Sequence, residues 1–286
     1  MNPKIKFTHS LLSLMIKSFF RNLLVLTIQN INHKYFIKII NTVLFLKKKK
    51  FFFGFEIQKD LYFIKEEKQQ KHYFSNKERG FNLYYQGLRS RKDQIANSYL
   101  LNLIDFEHKD IVIDCGANYG DLWLHLKNKI NPSNYITFEP GLNEYKSLIC
   151  NAPLSKNINK GLGDKEAHIN FYLNEKDADS SIIQPIKFDK IKKIKVIKLD
   201  DYIEKEKIQK IKLLKIEAEG FEPEILEGCV KNINKFSYIA IDGGNERGVN
   251  LEETMSRQLN FLIRRGYEIK GINLSWGRAL LYNSNS

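Results

Sequence analysis

Short apolar runs that end in an acidic residue or a glycine recur along the C-terminal part of the chain. The run at residues 111–113 ends in Asp114 and opens into a loop that contains Gly116 and Gly120. Apolar residues at helical spacing follow over residues 122–130. This order predicts a strand, a glycine loop and a helix, which together form a βα unit. In open α/β sheets such a loop lies beside the ligand, at the carboxyl ends of the strands.

The same alternation continues to the C-terminus and predicts one α/β domain. Apolar runs that predict further strands occupy residues 135–138, 157–160, 213–216 and 238–241. Segments with apolar residues on one helical face occupy residues 94–104, 143–151 and 251–265. Two last runs predict a closing antiparallel pair, at 267–272 and 279–282. An alternating strand at 168–173 precedes a polar loop over 174–188, which we expect to cover the acceptor, and then a lysine-rich strand with one solvated face.

The N-terminal part of the chain has a different pattern. Residues 1–55 contain ten Lys or Arg, no Asp or Glu, and many apolar residues. Their longest uncharged stretch, residues 22–32, is too short for a membrane-spanning helix, which needs about 20 apolar residues. Two interpretations stay open: helices that pack on the domain, or a basic amphipathic anchor on an anionic membrane surface, formed by residues 1–50. Residues 51–65 alternate between apolar and polar types and predict a β-hairpin.

Composition and cysteine usage narrow the class of protein. The net charge is +13, but Lys, Asn and Ile are abundant throughout, so the charge alone does not identify a binding surface. Cys115, Cys150 and Cys229 have no motif spacing, which argues for a reducing compartment and against a disulfide framework or a zinc site. We expect a cytoplasmic protein with three parts: a basic apolar helical extension (1–55), a hairpin with a lead-in helix (56–105), and the α/β domain (106–286).

The spacing of the glycine loop bears on the ligand. A dinucleotide fingerprint requires G-x-G-x-x-G, but, counted from Gly116, the other two glycine positions hold Asn118 and Asp121. A side chain at 118 hinders the approach of a diphosphate and the Asp121 carboxylate would repel it, which disfavours a nicotinamide oxidoreductase. Glu139 ends the strand at 135–138, where an acid can accept hydrogen bonds from both ribose hydroxyls. A ligand that combines an adenosine with a single carboxylate fits this pattern better.

Five segments of the chain resemble the FkbM family of S-adenosylmethionine-dependent methyltransferases. They are VIDCGANYGD, FEPGLNEYKSLICN, NKGLGDKEAHINFYL, VIKLDDYI and LLKIEAEGFEPEILEGC, and the resemblance runs in order over roughly residues 79–283. It implies a class I methyltransferase fold of the Rossmann-like α/β type. In that fold a seven-stranded, mostly parallel sheet ends in an antiparallel hairpin. The resemblance also implies S-adenosyl-L-methionine as the methyl donor and an oxygen of a sugar or natural product as the acceptor.

The resemblance further implies the residues that bind the donor. They are the strand ends, loop glycines and acids at Asp114, Gly116, Asn118, Gly120, Glu139, Gly163 and Asp164. Asp164 ends the GLGD segment, which the family places beside the adenine ring; an acid there can accept the exocyclic amine, and glycines leave room for a flat base. We expect no metal site, because no His joins the acids at ligand spacing.

The segment KIEAEGFE is the candidate for the chemistry. The family pattern is K-x-D-x-E-G-x-E; Glu217 replaces its Asp, and the pattern is matched at Lys215, Glu219, Gly220 and Glu222. A sugar hydroxyl is a poor nucleophile, so a general base is expected. The candidates are Glu217, Glu219 and Asp242, each of which can instead cap the following helix. Tyr84, Tyr85 and Arg89 are candidates either for the acceptor pocket or for packing.

These observations predict a methyltransferase that acts on a hydroxyl of a sugar in a cell-surface glycan, or on a related metabolite, without a nucleic-acid partner. Two alternatives stay open: an RNA methyltransferase, and a non-enzymatic membrane-associated glycan-binding protein. Methylation of base amines usually shows [DN]PP[FY] after the fourth strand, where this chain has IEAEGFE. Peripheral contact with the inner face of the membrane follows only from the anchor interpretation of residues 1–50.

Overall fold

The computed structural model describes residues 32–67, 70–174 and 180–284. Its strands are β1 (Phe51–Glu56), β2 (Leu61–Glu66), β3 (His72–Phe74), β4 (Val112–Cys115), β5 (Tyr135–Phe138), β6 (Lys156–Ile158), β7 (Gly161–Leu162), β8 (Ala167–Leu173), β9 (Lys190–Ile197), β10 (Ile211–Ile216), β11 (Phe236–Asp242), β12 (Asn245–Arg247), β13 (Glu252–Glu253), β14 (Tyr267–Asn273) and β15 (Arg278–Asn283). Its helices are α1 (His33–Leu46), α2 (Lys77–Tyr84), α3 (Leu88–Ser98), α4 (Asp121–Leu126), α5 (Leu142–Asn151), α6 (Leu199–Lys205), α7 (Glu222–Glu227) and α8 (Met255–Ile263).

Seven strands form the central sheet, in the order β14-β15-β11-β10-β4-β5-β6. The pairs from β6 to β11 are parallel, whereas β15 runs antiparallel to both β11 and β14. This arrangement confirms the predicted seven-stranded, mostly parallel sheet with a C-terminal antiparallel hairpin. The parallel part brings the carboxyl ends of β4, β5 and β10 to one edge, which is where a ligand site is expected.

The apolar runs of the central strands form these elements because both faces of the sheet are covered. β4 and β5 are buried along their whole length. Successive side chains of a strand point to opposite faces, and here they enter different core clusters. Ile113 and Phe138 pack in the cluster on one face, and Val112 and Tyr135 in the cluster on the other.

Several element bounds differ from those expected from the sequence. The lead-in helix predicted over 94–104 is α3, which starts at Leu88 and ends at Ser98, because Leu100 adopts a left-handed conformation with φ 58°. The helix predicted over 251–265 starts only at Met255, since the short β12–β13 hairpin precedes it. In β9 all of residues 190–193 are exposed, so the lysines lie on both faces of the strand and the expectation of one solvated face was wrong.

The described N-terminal residues form a layer of their own. β1, β2 and β3 make an antiparallel sheet, and its first strand crosses the expected boundary at residue 55. β3 lies in the polar segment 66–77, which the sequence predicts to be a loop. α1 buries Phe36, Ile40 and Leu44 in a cluster with this sheet, so the described helix packs on the protein, as the first interpretation predicts. The rest of the segment predicted as an extension, residues 1–31, lies outside the described residues.

This layer packs directly on the α/β domain. Tyr119 and Leu124, around the start of α4, belong to the same cluster as α1 and the N-terminal sheet. The Asn151 side chain, at the end of α5, accepts from the Tyr73 N–H (2.7 Å) and donates to the Tyr73 carbonyl (2.8 Å). Among the helices within the described ranges, none has the length and apolar character needed to cross a membrane.

Candidate active site

A pocket lies at the carboxyl ends of β4, β5 and β10. Its wall on the side of the sheet is formed by the glycine loop after β4, by Glu139 after β5 and by residues 217–219 after β10. Its opposite wall comes from α2 and α3 and the residue after α3, through Arg79, Leu83, Arg91, Ile95 and Tyr99. The described part of the loop over 174–188 contributes Ser180 and Ile182, while residues 175–179 of that loop lie outside the described residues.

The two glycines of the first loop have different structural roles. Gly116 has φ +70°, and a Cβ on it would lie 1.8 Å from the Glu217 carbonyl oxygen, so its lack of a side chain lets the ends of β4 and β10 come together. Gly120 has φ +83° and starts α4, but it does not line the pocket. Gly116 therefore allows the close approach of the two strand ends, and Gly120 allows the turn into α4.

Glu139 is held by the backbone alone. Only 6% of the residue is exposed. Its Oε2 accepts from the Asn118 N–H (2.8 Å) and its Oε1 from the Gly141 N–H (2.7 Å). Burial raises the pKa of Glu139 to about 8, and the nearby Glu144 adds to this effect. Each carboxylate oxygen keeps a lone pair for another donor, which suits a pair of vicinal hydroxyls.

Asn118 lines the same corner. It has φ +49°, and its side-chain Oδ1 is buried without a hydrogen-bond partner among the described residues. A buried acceptor of this kind normally finds a partner. Its place on the pocket wall, next to Glu139, therefore marks this corner as a place where a ligand with hydrogen-bond donors fits.

Asp114, at the end of β4, is enclosed more completely. It is 1% exposed, its Oδ2 accepts from the Tyr135 hydroxyl (2.5 Å), and its Oδ1 lies 3.1 Å from Lys215 Nζ. Burial raises the pKa of Asp114 although Lys215 and Tyr135 oppose it. Much of this carboxylate is thus engaged inside the protein, while the residue still forms part of the pocket wall.

Glu217, at the end of β10, is paired with two cations. Its Oε2 lies 2.9 Å from Lys215 Nζ, and its Oε1 accepts from Arg278 Nη2 at 2.7 Å. Burial favours a raised pKa, but Lys215 and Arg278 outweigh it and hold the pKa of Glu217 well below its ordinary range. Arg278 also donates through Nε to Asp242 (2.7 Å), which does not line the pocket. A carboxylate so paired is a weak proton acceptor.

Glu219 projects from a tightly turned loop. It has φ +49° and the next residue, Gly220, has φ +93°. The Glu222 carboxylate fixes this loop, because its Oε1 accepts from the N–H groups of Ala218 (2.8 Å) and Gly220 (3.1 Å). The family pattern included Glu222 without indicating its role; here it shapes the loop that presents Glu219 to the pocket.

A second acid lies beside Glu219. Glu246, in the β12 strand, is exposed, and its carboxyl is hydrogen bonded to Glu219. Burial raises the pKa of Glu246 to about 7, with Asp242 adding to this effect. The hydrogen bond to Glu219 acts in the opposite direction and lowers the pKa of Glu246. A carboxyl with a pKa near neutrality can exchange a proton at neutral pH. Sequence reasoning missed Glu246, because the GGNERG loop reaches Glu219 only through the fold.

The structure does not bring all predicted donor residues to the pocket. Gly161 and Leu162 line it in place of Gly163 and Asp164. Gly163 packs against Val196 and Phe221, and Asp164 is exposed. Their part in donor binding stays a prediction, as does that of the other site residues.

The residues that sequence reasoning missed come mainly from α3. Arg91, Ile95 and Tyr99 are spaced four residues apart and face the pocket together, so an extension of the predicted helix by one turn would have found Arg91. Of the acceptor candidates, Tyr84 is fully buried and hydrogen bonded to Asp121, which supports packing. Tyr85 and Arg89 are exposed and do not line the pocket.

The sequence was compared with protein families and with curated proteins. The family model of the methyltransferase FkbM domain matches residues 114–269, a span that runs from within β4 to the start of β14 and excludes α2 and α3. A search among curated proteins gave no match.

Solved structures also resemble the chain. The methyltransferase FkbM from Methylobacillus flagellatus KT is 20% identical, with 63% of this chain and 45% of that chain covered and a TM-score of 0.43. The chain thus spans less than half the length of that protein. Aeropyrum pernix fibrillarin, in complex with natively bound S-adenosyl-L-methionine, is 13% identical over 78% of this chain and 93% of that chain, with a TM-score of 0.40. M. capricolum TrmK, in complex with S-adenosyl-homocysteine, is 13% identical over 68% of each chain, with a TM-score of 0.39.

Proposed function

We propose, since the chain belongs to the FkbM family of S-adenosylmethionine-dependent methyltransferases, that it methylates a hydroxyl oxygen of a sugar, in a cell-surface glycan or a related metabolite. The observation that carries this proposal is the pairing of two kinds of carboxyl group in one pocket. Glu139 is a buried acceptor held by backbone N–H groups, whereas Glu219 shares a hydrogen bond with Glu246. The first suits the ribose of the donor and the second suits the removal of a proton from the acceptor.

The donor corner fits S-adenosylmethionine. Glu139 would accept hydrogen bonds from the ribose hydroxyls, and the buried Asn118 Oδ1 offers a further acceptor. When bound, the donor supplies an activated methyl group on a sulfonium. The protein then has to align the acceptor oxygen and exclude water, and alignment alone can account for about 7–11 kcal/mol of a barrier.

The acceptor side needs a group that takes the hydroxyl proton. Glu219 is the best placed of the three candidate bases, because it lines the pocket and its neighbour Glu246 has a pKa near neutrality. Glu217 and Asp242 both bond to Arg278, which commits them to an ion-pair network. We therefore assign proton removal to Glu219, assisted by Glu246.

The proposal is tested by separating donor binding from turnover. Wild-type protein and the Glu219→Gln variant should bind S-adenosylhomocysteine with similar affinity in calorimetric titrations, while the variant loses roughly 100-fold or more in methyl transfer. Transfer is measured with tritiated donor on a cell-envelope glycan fraction and, in parallel, on total RNA. Glu227→Gln, on the exposed side of α7, is the matched control and should leave both unchanged.

Three outcomes would contradict the proposal. Label incorporated into RNA and absent from the glycan fraction would replace the sugar acceptor with a nucleic acid. Unchanged turnover in Glu219→Gln would remove this residue from proton transfer. Failure of the wild-type protein to bind S-adenosylhomocysteine would instead favour a non-enzymatic role.

A further inference from the structure

Arg91 lies on the wall of the pocket although it comes from outside the matched family domain. It is in α3, and only 13% of its side chain is exposed. A guanidinium stays charged under all ordinary conditions, so the fold places a permanent, nearly buried positive charge beside the ligand site. Such a charge needs partners, and those partners show how it is oriented.

Asp121, the first residue of α4, holds this guanidinium. Arg91 Nε donates to Asp121 Oδ2 at 2.7 Å, and Arg91 Nη1 donates to Gln94 Oε1 at 2.8 Å. The other Asp121 oxygen, Oδ1, accepts from the Tyr84 hydroxyl at 2.6 Å and lies 3.0 Å from His72 Nε2. Three residues, His72 of β3, Tyr84 of α2 and Arg91 of α3, thus converge on one carboxylate of the α/β domain and fix its direction.

The remaining nitrogen of Arg91 is available to a ligand. Nη2 forms no hydrogen bond with the described residues, and it is not among the polar atoms that are buried from solvent. Nη2 can donate together with the second N–H of Nη1, and such a pair of parallel N–H groups on neighbouring nitrogens is the fork that recognises a carboxylate. The Asp121 carboxylate balances the charge and holds the fork without covering it.

The position of Arg91 within the pocket indicates which part of a ligand its guanidinium can contact. Arg79 interacts with Glu144, close to Glu139, and so belongs to the corner assigned to ribose. Arg91 instead interacts with Glu217 at the end of β10. The third cation on the pocket wall, Lys215, already contacts the carboxylates of Asp114 and Glu217.

We propose that Arg91 binds the α-carboxylate of the methionine part of the donor, and that Asp121 is the residue that positions it. This assignment rests on the proposed function, because it assumes that the ribose lies at Glu139. The donor carries its ribose and its carboxylate on opposite sides of the sulfonium, and Glu139 and Arg91 belong to different walls of the pocket, after β5 and on α3. The N-terminal layer would then form part of the donor site, through Tyr84 and His72.

The test compares two ligands that differ in the group recognised. S-adenosylhomocysteine has the carboxylate, whereas 5′-methylthioadenosine lacks it along with the amino group. By calorimetric titration, Arg91→Gln should weaken binding of S-adenosylhomocysteine roughly 10- to 100-fold, because it removes a charge-assisted contact. Binding of 5′-methylthioadenosine should change less than about twofold, since the ribose and base contacts remain.

Two further variants keep the test informative. Arg89→Gln, in the same helix but exposed and away from the pocket, should leave both affinities unchanged. Arg91→Gln leaves the Asp121 carboxylate without its cation, so the double variant Arg91→Gln/Asp121→Asn is measured where the single variant unfolds, and it should show the same selective loss.

The outcomes separate this assignment from the proposed function. Equal loss for both ligands, or no loss for S-adenosylhomocysteine in either variant, would overturn the role of Arg91 while leaving the donor site in place. Absence of binding of both ligands by the wild-type protein would overturn the proposed function and this assignment together.

Discussion

Glu139 and Glu217 occupy equivalent places at the ends of parallel strands, yet their surroundings are opposite. Glu139 follows β5 and, within the described part of the chain, its carboxylate accepts hydrogen bonds only from backbone N–H groups. Glu217 follows β10 and is paired with Lys215 and Arg278. Burial acts on both carboxyls, but the cations reverse its effect at Glu217, so the pKa is raised at one strand end and lowered at the other.

This difference indicates different roles: Glu139 is suited to bind a ligand, whereas Glu217 stabilises the fold. A buried carboxyl without a cation gains most when a ligand donates hydrogen bonds to it. A carboxylate that joins two buried cations helps to neutralise both, and its removal leaves Lys215 with Asp114 alone and Arg278 with Asp242 alone. Position on the strand therefore does not decide function here; the partners do.

We expect the largest effect, on the free energy of unfolding, when the ion pairs of Glu217 with Lys215 and Arg278 are broken. Glu217→Ala should lower the free energy of unfolding by about 2–4 kcal/mol, because Lys215 and Arg278 lose a shared partner. The expected loss is smaller than for a fully buried ion pair, because 31% of the Glu217 side chain is exposed and solvent screens part of the interaction. Urea unfolding at neutral pH measures it.

A matched control uses an exposed ion pair. Glu227→Ala breaks the contact between Glu227 and Arg257, whose side chains are 44% and 52% exposed, and should cost about 1 kcal/mol or less. A loss for Glu217→Ala no greater than for this control would show that the network contributes little to stability.

The sequence predicted the strands and the acids at their ends, but not the partners of those acids. The positions of Glu139 and Glu217 at strand ends can be predicted, because a strand and the turn after it depend on residues that are close in sequence. Arg278 meets Glu217 from 61 residues away, so no local pattern reveals the pair. For the same reason Asp121 was expected to repel an anionic ligand, whereas the structure pairs its carboxylate with Arg91.

Where local rules failed, tertiary contacts decided the outcome. Glu222 matched the family pattern, but its bonds to the N–H groups of Ala218 and Gly220 depend on the turn after β10. Glu246 reaches Glu219 only because the β12–β13 hairpin packs against the turn after β10, where Arg247 donates to the Gly220 carbonyl. The residues of the site that come from α2 and α3 lie before β4, the first strand of the α/β domain, where the glycine-loop pattern gives no information.

The next largest effect is expected on the pH dependence of S-adenosylhomocysteine binding. The pKa of Glu139 is about 8 in the folded chain, against an ordinary value of 4.5. The folded chain therefore binds more protons than the unfolded one between these values, so this group lowers stability as pH rises through that window. The carboxylate accepts two ribose hydroxyls better than the acid does. Affinity for S-adenosylhomocysteine should thus rise with pH, by up to about tenfold per unit below pH 8, and level off above it.

Glu139→Gln separates this titration from others in the site. The variant should bind S-adenosylhomocysteine roughly 10-fold or more weakly above pH 8, with an affinity that no longer follows Glu139 ionisation between pH 6 and pH 9. Calorimetric titrations at four pH values measure both proteins. A wild-type affinity that is flat over this range, or an unchanged slope in the variant, would contradict the assignment of Glu139 to the ribose.

The smallest effect is expected at Asp164, a third acid near the end of a strand. It is exposed and does not line the pocket, unlike Glu139. A hydrogen bond from the adenine amine to an exposed carboxylate competes with water, so its net contribution is about 0.5–1 kcal/mol. Asp164→Ala should therefore weaken S-adenosylhomocysteine binding by less than about fivefold, whereas Glu166→Gln, two residues away and exposed, should have no effect. A loss in Asp164→Ala as large as in Glu139→Gln would mean that the loop after β7 closes over the base when the donor binds, and that exposure in the free chain underestimates its contribution.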